Sequence, residues 1–201
     1  GPITIRTACA PVAESELPYI ESFDTWENIN SNPCYGMPAE YPQPSISTAQ
    51  YMDGTKSLYM GSSYAKMWLS MPAFTAEVGS LQISFSIKRD GSDDYPVLVG
   101  LTDDPTGLSS FDTVATVRCY TNSWERKSVT LTSYQGTEKY ITLVSPAGSY
   151  NYIDSIVVEY ASFCSDPINL NAVAISSSEA KIYFTNTGTQ GVDVIYGLHG
   201  F

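Results

Sequence analysis

The stretch Tyr152-Ile153-Asp154-Ser155-Ile156-Val157-Val158-Glu159-Tyr160 decides the fold class of this 201-residue chain. Successive side chains of a β-strand point to opposite faces, so every second residue shares a face. One predicted face carries Tyr152, Asp154, Ile156, Val158 and Tyr160, and the other carries Ile153, Ser155 and Val157. Because both faces are largely apolar, we expect a central strand of a sheet.

Asp154 is the out-of-place residue of this stretch, because its carboxylate falls in an apolar row. Burying an unpaired charge is strongly unfavourable, so the carboxylate needs a partner. A metal ion, backbone amides, or an arginine such as Arg118 or Arg126 would each meet that need. The residues alone leave these alternatives open.

The rest of the chain repeats the strand pattern and shows no amphipathic helical run. Leu81–Ile87 alternates without a fault, which predicts a half-buried antiparallel strand. Residues 19–24 open the main domain, and 54–60 are a turn leading into a strand. Other strands are expected at 3–7, 65–71, 97–101, 113–120, 127–131, 140–144 and 152–160, with an irregular segment at 28–44. Short strands at this spacing predict an all-β, two-sheet antiparallel sandwich and exclude parallel α/β folds.

The charge of the chain limits its partners. It has 21 acidic and 10 basic residues, giving a formal charge of -11. Nucleic acid and anionic membranes are therefore poor partners, whereas divalent cations are plausible ones. No apolar run approaches the roughly 20 residues of a membrane span, so we expect no membrane insertion.

A second unit is predicted to begin at Cys164. The run Cys164–Leu170, followed by strand patterns at 170–174, 180–184 and 192–196, resembles the opening of a fibronectin type III or related immunoglobulin-like module. We therefore expect residues 1–9 to be the terminal strand of a preceding module, 10–163 the main sandwich, and 164–201 a partial fibronectin III-like module.

Several motifs occur in an order that resembles the cleaved-adhesin jelly rolls. They are Leu17–Asp24, Asp53–Leu58, Trp68–Pro72, Val99–Pro105, Trp124 with Val129–Leu131, Tyr134–Gly136, and Tyr152–Ile156. The resemblance covers about residues 10 to 163. The chain is similar to the haemagglutinin-adhesin modules of gingipains and, more distantly, to MAM domains. Such modules occur in large secreted bacterial surface proteins, where they alternate with fibronectin-like modules.

The resemblance implies a concanavalin-like or galactose-binding-like jelly roll that holds a structural calcium ion. The matching positions are Asp24, a backbone carbonyl near Lys56, and Asp154. Calcium takes oxygen ligands and would neutralise Asp154 without a basic partner. Ser155 departs from the pattern, because many relatives carry a second Asp there, which weakens the expected site.

The four cysteines lie far apart and form no C-x-x-C pair, so zinc is disfavoured and disulfides or buried thiols remain. Because the termini of a jelly roll lie close together, we expect Cys9 to bridge to Cys164. Cys34 and Cys119 would then form the second disulfide.

Aromatic side chains are the candidate ligand contacts. Tyr35 and Tyr95 fall in predicted loops, where exposed rings would meet a ligand. Trp26, Trp68 and Trp124 are expected to pack in the core or at its rim, since most indoles of a sandwich do.

Catalysis finds little support. His199 is the one histidine and no serine or cysteine motif matches it. The opposed carboxylates of a jelly-roll glycosidase are also lacking, since Glu21, Asp24 and Glu27 are spaced by three rather than alternating. We therefore expect a non-enzymatic module.

The predicted function is an extracellular, adhesin-like recognition module that binds host glycan or glycoprotein and contacts neighbouring modules of its own chain. A carbohydrate-binding accessory module of a larger secreted glycosidase or protease is the first alternative. A structural spacer without a ligand is the second.

Overall fold

The structure is a computed structural model that describes residues 9–93, 95–106, 110–161, 168–176 and 179–185. The chain divides into two compact units, Gly1–Ala161 and Ser162–Phe201. Nowhere in the described ranges is there a helix both long and apolar enough to cross a membrane.

The first unit is a sandwich of two antiparallel sheets. Its strands are β1 (Tyr19–Glu21), β2 (Ser45–Ser47), β3 (Ser57–Ser62), β4 (Met67–Ser70), β5 (Leu81–Arg89), β6 (Pro96–Thr102), β7 (Asp112–Arg118), β8 (Glu125–Thr130), β9 (Tyr140–Ser145) and β10 (Ser149–Tyr160). One sheet has the order β2-β3-β10-β5-β8, with β1 paired to β10. The other has the order β4-β9-β6-β7. The predicted antiparallel jelly-roll sandwich is thus confirmed, and the predicted strand at 3–7 lies outside the described residues.

The core lies between the two sheets and follows the alternation of the strands. Leu81, Ile83, Phe85 and Ile87 of β5 are all 0% exposed. The intervening Ser84 and Ser86 are buried too, and the Arg126 guanidinium donates to Ser84 Oγ at 2.6 Å. The inner face is buried as the alternation predicts, and the outer face is only partly exposed, since Gln82 is half-buried and Arg126 lies over Ser84.

Strand β10 is central, as predicted, because it pairs with β3 on one side and β5 on the other. The strict alternation predicted for it was wrong. Its pairing with β5 shifts between Asp154 and Val157, and Ser155 has a φ of 50°. This β-bulge puts one extra residue on β10, so Ile153 before it and Ile156 after it both face the core.

The predicted cysteine pairing was wrong. Cys9 is bonded to Cys34, with 5.4 Å between their Cα atoms, which excludes both Cys9–Cys164 and Cys34–Cys119. Cys119 is a buried free thiol that donates to the Thr121 carbonyl at 3.2 Å. Cys164 lies outside the described residues. The error came from Cys34, because the irregular segment that carries it has no periodicity from which its position follows.

The second unit contains an antiparallel pair, β11 (Ile168–Ser176) and β12 (Glu179–Thr185). These strands include two of the predicted segments. The third, 192–196, lies outside the described residues, and the fibronectin III-like nature of this unit stays a prediction.

Candidate functional site

The outer face of the four-stranded sheet carries a row of large apolar side chains. Trp68 of β4 pairs with Val144 of β9, which pairs with Leu98 of β6. Met67 and Leu69, the neighbours of Trp68 along β4, belong to the core between the sheets. Since side chains alternate along a strand, Trp68 points to the opposite, outer face.

A loop aromatic covers one end of this row. The Phe111 ring packs edge-on against the Trp68 indole, with 4.9 Å between ring centroids and 72° between planes. Phe111 can lie there because the sheet has Gly100 beneath it. A Cβ atom at Gly100 would come within 2.8 Å of the Phe111 ring.

A lysine lies over the Trp68 ring. The Lys66 ammonium is 4.8 Å from the Trp68 ring centroid and 5.4 Å from that of Tyr41. Both distances are within the range of cation–π attraction. Beside them, Tyr64 is 79% exposed, so its ring is available to a ligand.

These side chains enclose an open cleft of about 350 Å³, called the Trp68 cleft below. Its lining residues are Tyr41, Tyr64, Ala65, Lys66, Trp68, Leu98, Phe111, Val144, Pro146 and Ala147. Trp68 is 3% exposed, and its Nε1–H is buried without a hydrogen-bond acceptor. A buried donor without an acceptor is costly, so this indole is a locally unfavourable feature of the floor of the cleft.

The expectation for the tryptophans holds in part. Trp26 is 2% exposed and belongs to the core, and Trp124 is half-buried. Trp68 is buried on the outer face instead, as the floor of a cleft that sequence reasoning missed. The sequence pattern that could have indicated this cleft is the alternation of Tyr64, Lys66 and Trp68. In an extended chain, alternate residues lie on the same side.

Tyr35 is buried rather than exposed, so the reason for assigning it a ligand role was wrong. It is 5% exposed, its ring lies 5.0 Å from the Trp26 ring, and its hydroxyl is 3.0 Å from that of Tyr19. Burial raises the pKa of the Tyr35 hydroxyl well above its usual value. The irregular segment folds inward at this point.

Tyr95 is half-buried and joins a second aromatic group, on the outer face of the six-stranded sheet. Its ring lies 5.2 Å from that of Tyr150, and its hydroxyl donates to Asp93 at 3.3 Å. In the same group, the Tyr59 and Tyr152 rings are 4.9 Å apart. A ligand role for Tyr95 stays a prediction.

The predicted calcium residues meet at one turn. Asp154 Oδ2 accepts the amides of Met52 at 2.7 Å and Asp53 at 3.2 Å, and Oδ1 accepts the Ser155 amide at 2.6 Å. Asp24 Oδ1 accepts the amides of Thr55 at 2.6 Å and Lys56 at 3.1 Å. Of the alternatives for Asp154, pairing with backbone amides is confirmed.

The two carboxylates differ in their electrostatics. Burial raises the pKa of Asp154, the neighbouring charge of Asp24 adds to that rise, and the three amides oppose it. The Thr55 amide lowers the pKa of Asp24. Two carboxylates at one turn fit a calcium ion in kind, although the described residues hold no group of three or more His, Cys, Asp or Glu side chains around a common point.

Comparisons with solved structures place the fold. The K1 cleaved adhesin domain of Lys-gingipain from Porphyromonas gingivalis matches with a TM-score of 0.56 at 12% identity, over 72% of this chain and 98% of that chain. This chain therefore contains a jelly-roll fold similar to that of the K1 domain. The K2 domain of Lys-gingipain matches with a TM-score of 0.56 at 11% identity, over 70% and 98%.

A solved structure that contains a carbohydrate-binding module matches over part of its length. The CBM22-1 and GH10 modules of xylanase 10B from Clostridium thermocellum, complexed with xylohexaose, match with a TM-score of 0.51 at 14% identity, over 71% of this chain and 28% of that chain. No protein-family model matches this chain, and no curated protein does.

Proposed function

We propose that this protein is a non-catalytic extracellular recognition module that binds glycan in the Trp68 cleft. The observation that carries the proposal is the group of aromatic rings on a sheet face, with Tyr64 79% exposed at its rim. Aromatic rings offer a large apolar surface for the apolar face of a sugar ring. The volume of about 350 Å³ falls within the usual range of ligand sites.

The location of the aromatics bears on the choice between the predicted functions. Of the rings in the cleft, Trp68 lies on a strand, whereas Tyr41, Tyr64 and Phe111 lie on loops that border the sheet face. A cleft lined by aromatic rings favours a carbohydrate-binding module, whereas an adhesin that reads protein would use a polar surface. The structure of the CBM22-1 and GH10 modules of a xylanase, complexed with xylohexaose, shares this fold over 28% of its chain. An adhesin role through a glycan on a host glycoprotein is compatible with the same cleft.

A larger cleft is a weaker candidate. It has a volume of about 720 Å³ and lies between residues 74–79 and 132–139. Tyr134 is the sole aromatic in its lining besides Phe74, whose side chain is 7% exposed. It therefore offers a sugar little stacking surface.

The disulfide supports an extracellular location. Structural disulfides such as Cys9–Cys34 persist in oxidising compartments and are rare in the cytosol. Secretion or display at a cell surface, contacts with neighbouring modules, and the absence of catalysis are parts of this proposal.

Affinity electrophoresis through gels that contain plant and host polysaccharides tests the glycan proposal. We expect retention of the wild type by at least one neutral or acidic polysaccharide, and about tenfold weaker retention of Tyr64→Ala, since losing one stacking ring removes roughly 1.4 kcal/mol. Tyr120→Ala is the matched control, because Tyr120 is 63% exposed and lies outside the cleft.

Two results would contradict the proposal. Retention that is equal for Tyr64→Ala and the wild type would move the site elsewhere. An absence of retention on every polysaccharide would favour the ligand-free spacer.

We also propose that calcium binds between Asp24 and Asp154. The support is that both carboxylates meet the turn at residues 52–56 and that burial raises the pKa of Asp154, with repulsion by the charge of Asp24 adding to that rise. A bound divalent cation would remove that repulsion and stabilise the domain. We expect a higher melting temperature in calcium than in chelator.

The calcium proposal has its own control. Asp24→Asn should abolish the difference between calcium and chelator, whereas Asp112→Asn, at an exposed position on β7, should retain it. Equal melting temperatures of the wild type in the two buffers would refute calcium binding.

A further inference from the structure

The Trp68 cleft differs in charge from the rest of the protein. The chain carries a formal charge of -11, yet the side chains that line the cleft include one cation, Lys66, and no acid. A single positive charge among aromatic rings selects against cationic ligands and in favour of anionic ones.

The Lys66 ammonium has no acceptor within the described ranges, where its contacts are with the rings of Trp68 and Tyr41. Other lysines do have one. Lys127 pairs with Glu125 at 2.7 Å, and Lys56 donates to the Trp26 carbonyl at 2.7 Å. An ammonium that has no carboxylate beside it keeps its charge available to a bound anion.

The donor that a ligand anion would meet in this cleft is the Lys66 ammonium. Trp68 Nε1–H lacks an acceptor among the described residues, but it is buried out of reach of a ligand. A carboxylate accepts from the ammonium through its oxygens.

We propose that the glycan bound by the Trp68 cleft is acidic, with the carboxylate of a uronic-acid type sugar paired to Lys66 while its ring contacts Tyr64. This inference rests on the proposed function and names its ligand class. The net charge refines it further. Long-range repulsion opposes a chain with an acid on every residue, whereas attraction by Lys66 acts within about one Debye length, ~8 Å at physiological salt. Acidic residues spaced along a largely neutral polysaccharide suit the site best.

Paired polysaccharides test the inference. The probes are glucuronoxylan, polygalacturonate, alginate and hyaluronan, each as the native acid and after carboxyl reduction, which removes the charge and keeps the sugar ring. We expect the wild type to bind native glucuronoxylan about tenfold more tightly than its reduced form, the value of one charge-assisted hydrogen bond.

Lys66→Met keeps the apolar stem and removes the charge. We expect this variant to bind native and reduced polysaccharide equally, at the affinity of the wild type for the reduced form. Lys181→Met removes the same charge from an exposed lysine on β12, outside both clefts, and should behave as the wild type. Circular dichroism of each variant checks that it is folded.

The outcomes separate the two proposals. Tyr64-dependent binding that is equal for native and reduced polysaccharides, or unchanged in Lys66→Met, overturns the acidic ligand and leaves glycan binding intact. An absence of binding to every probe overturns both.

Discussion

At the scale of single residues, Glu125 shows how one carboxylate holds an irregular turn. Its Oε1 accepts the amides of Tyr120 at 3.0 Å and Thr121 at 2.9 Å, and also the Thr121 hydroxyl at 2.9 Å. Its Oε2 accepts Lys127 at 2.7 Å. Lys127 and these donors lower the pKa of Glu125 from 4.5 to about 2.

The lowered pKa of Glu125 predicts an acid-dependent contribution to stability. A carboxyl whose pKa is lower in the folded state stabilises the fold above its unfolded pKa, and this contribution is lost as pH falls toward the folded one. We expect Glu125→Gln to lower the melting temperature at neutral pH, and the difference from the wild type to shrink between about pH 5 and about pH 2. Melting followed by circular dichroism across that range measures it.

The control for this prediction is Glu40→Gln, at an exposed position. Its melting temperature should track that of the wild type at every pH. A difference between Glu125→Gln and the wild type that stays constant down to pH 2 would show that the carboxylate charge is not the cause.

Asp154 marks the limit of prediction at this scale. Its need for a partner follows from its apolar neighbours in the sequence. The identity of that partner does not, because the Met52 amide that it accepts is 102 residues away in the chain. The turn at residues 52–56 approaches β10 only in the tertiary structure, which the local sequence does not reveal.

At the scale of the strand, β10 is organised around its bulge. Ser155 adopts a φ of 50°, a left-handed conformation that disfavours a residue with a Cβ atom. Ser155→Gly removes that strain, and part of the gain is offset by the larger entropy of glycine in the unfolded chain. We expect this variant to raise the free energy of unfolding by about 0.5 kcal/mol.

Urea unfolding measures this effect, with Ser128→Gly as the matched control in β8. That strand position has no positive φ, so glycine there should destabilise the domain by about 0.5–1 kcal/mol. If Ser155→Gly is no more stable than Ser128→Gly, backbone strain at the bulge is not significant.

The strand itself was predictable and the bulge was not. Alternation places Leu81–Ile87 within β5 and 152–160 within β10. A bulge usually announces itself through glycine or asparagine, which tolerate positive φ. Here a serine adopts the positive φ, so the sequence offered no cue to the bulge. The prediction therefore placed Ile156 on the same face as Asp154, whereas the bulge puts the two on opposite faces.

At the scale of the whole molecule, the order of the motifs predicted the jelly roll correctly, because strands and turns are local. The Trp68 cleft was harder to predict, because its walls come from five separate parts of the chain: Tyr41, 64–68, Leu98, Phe111 and 144–147. Of these parts, only residues 64–68 have a pattern in the local sequence that indicates the cleft, which is the alternation of Tyr64, Lys66 and Trp68. The prediction of the disulfides failed because it also depended on long-range contacts. Cys34 lies in a segment without periodicity, so its position does not follow from the local sequence.

The Cys9–Cys34 bond also determines how the domain carries mechanical load. A force applied to the chain before Cys9 passes through the disulfide to Cys34. The chain between these cysteines, which are 25 residues apart in sequence, bears none of that force. Strand β1 lies inside that covalent loop. Strand β1 therefore bears no tension when the chain is pulled from its N-terminal side. Its hydrogen bonds to β10 are not broken in sequence from that end.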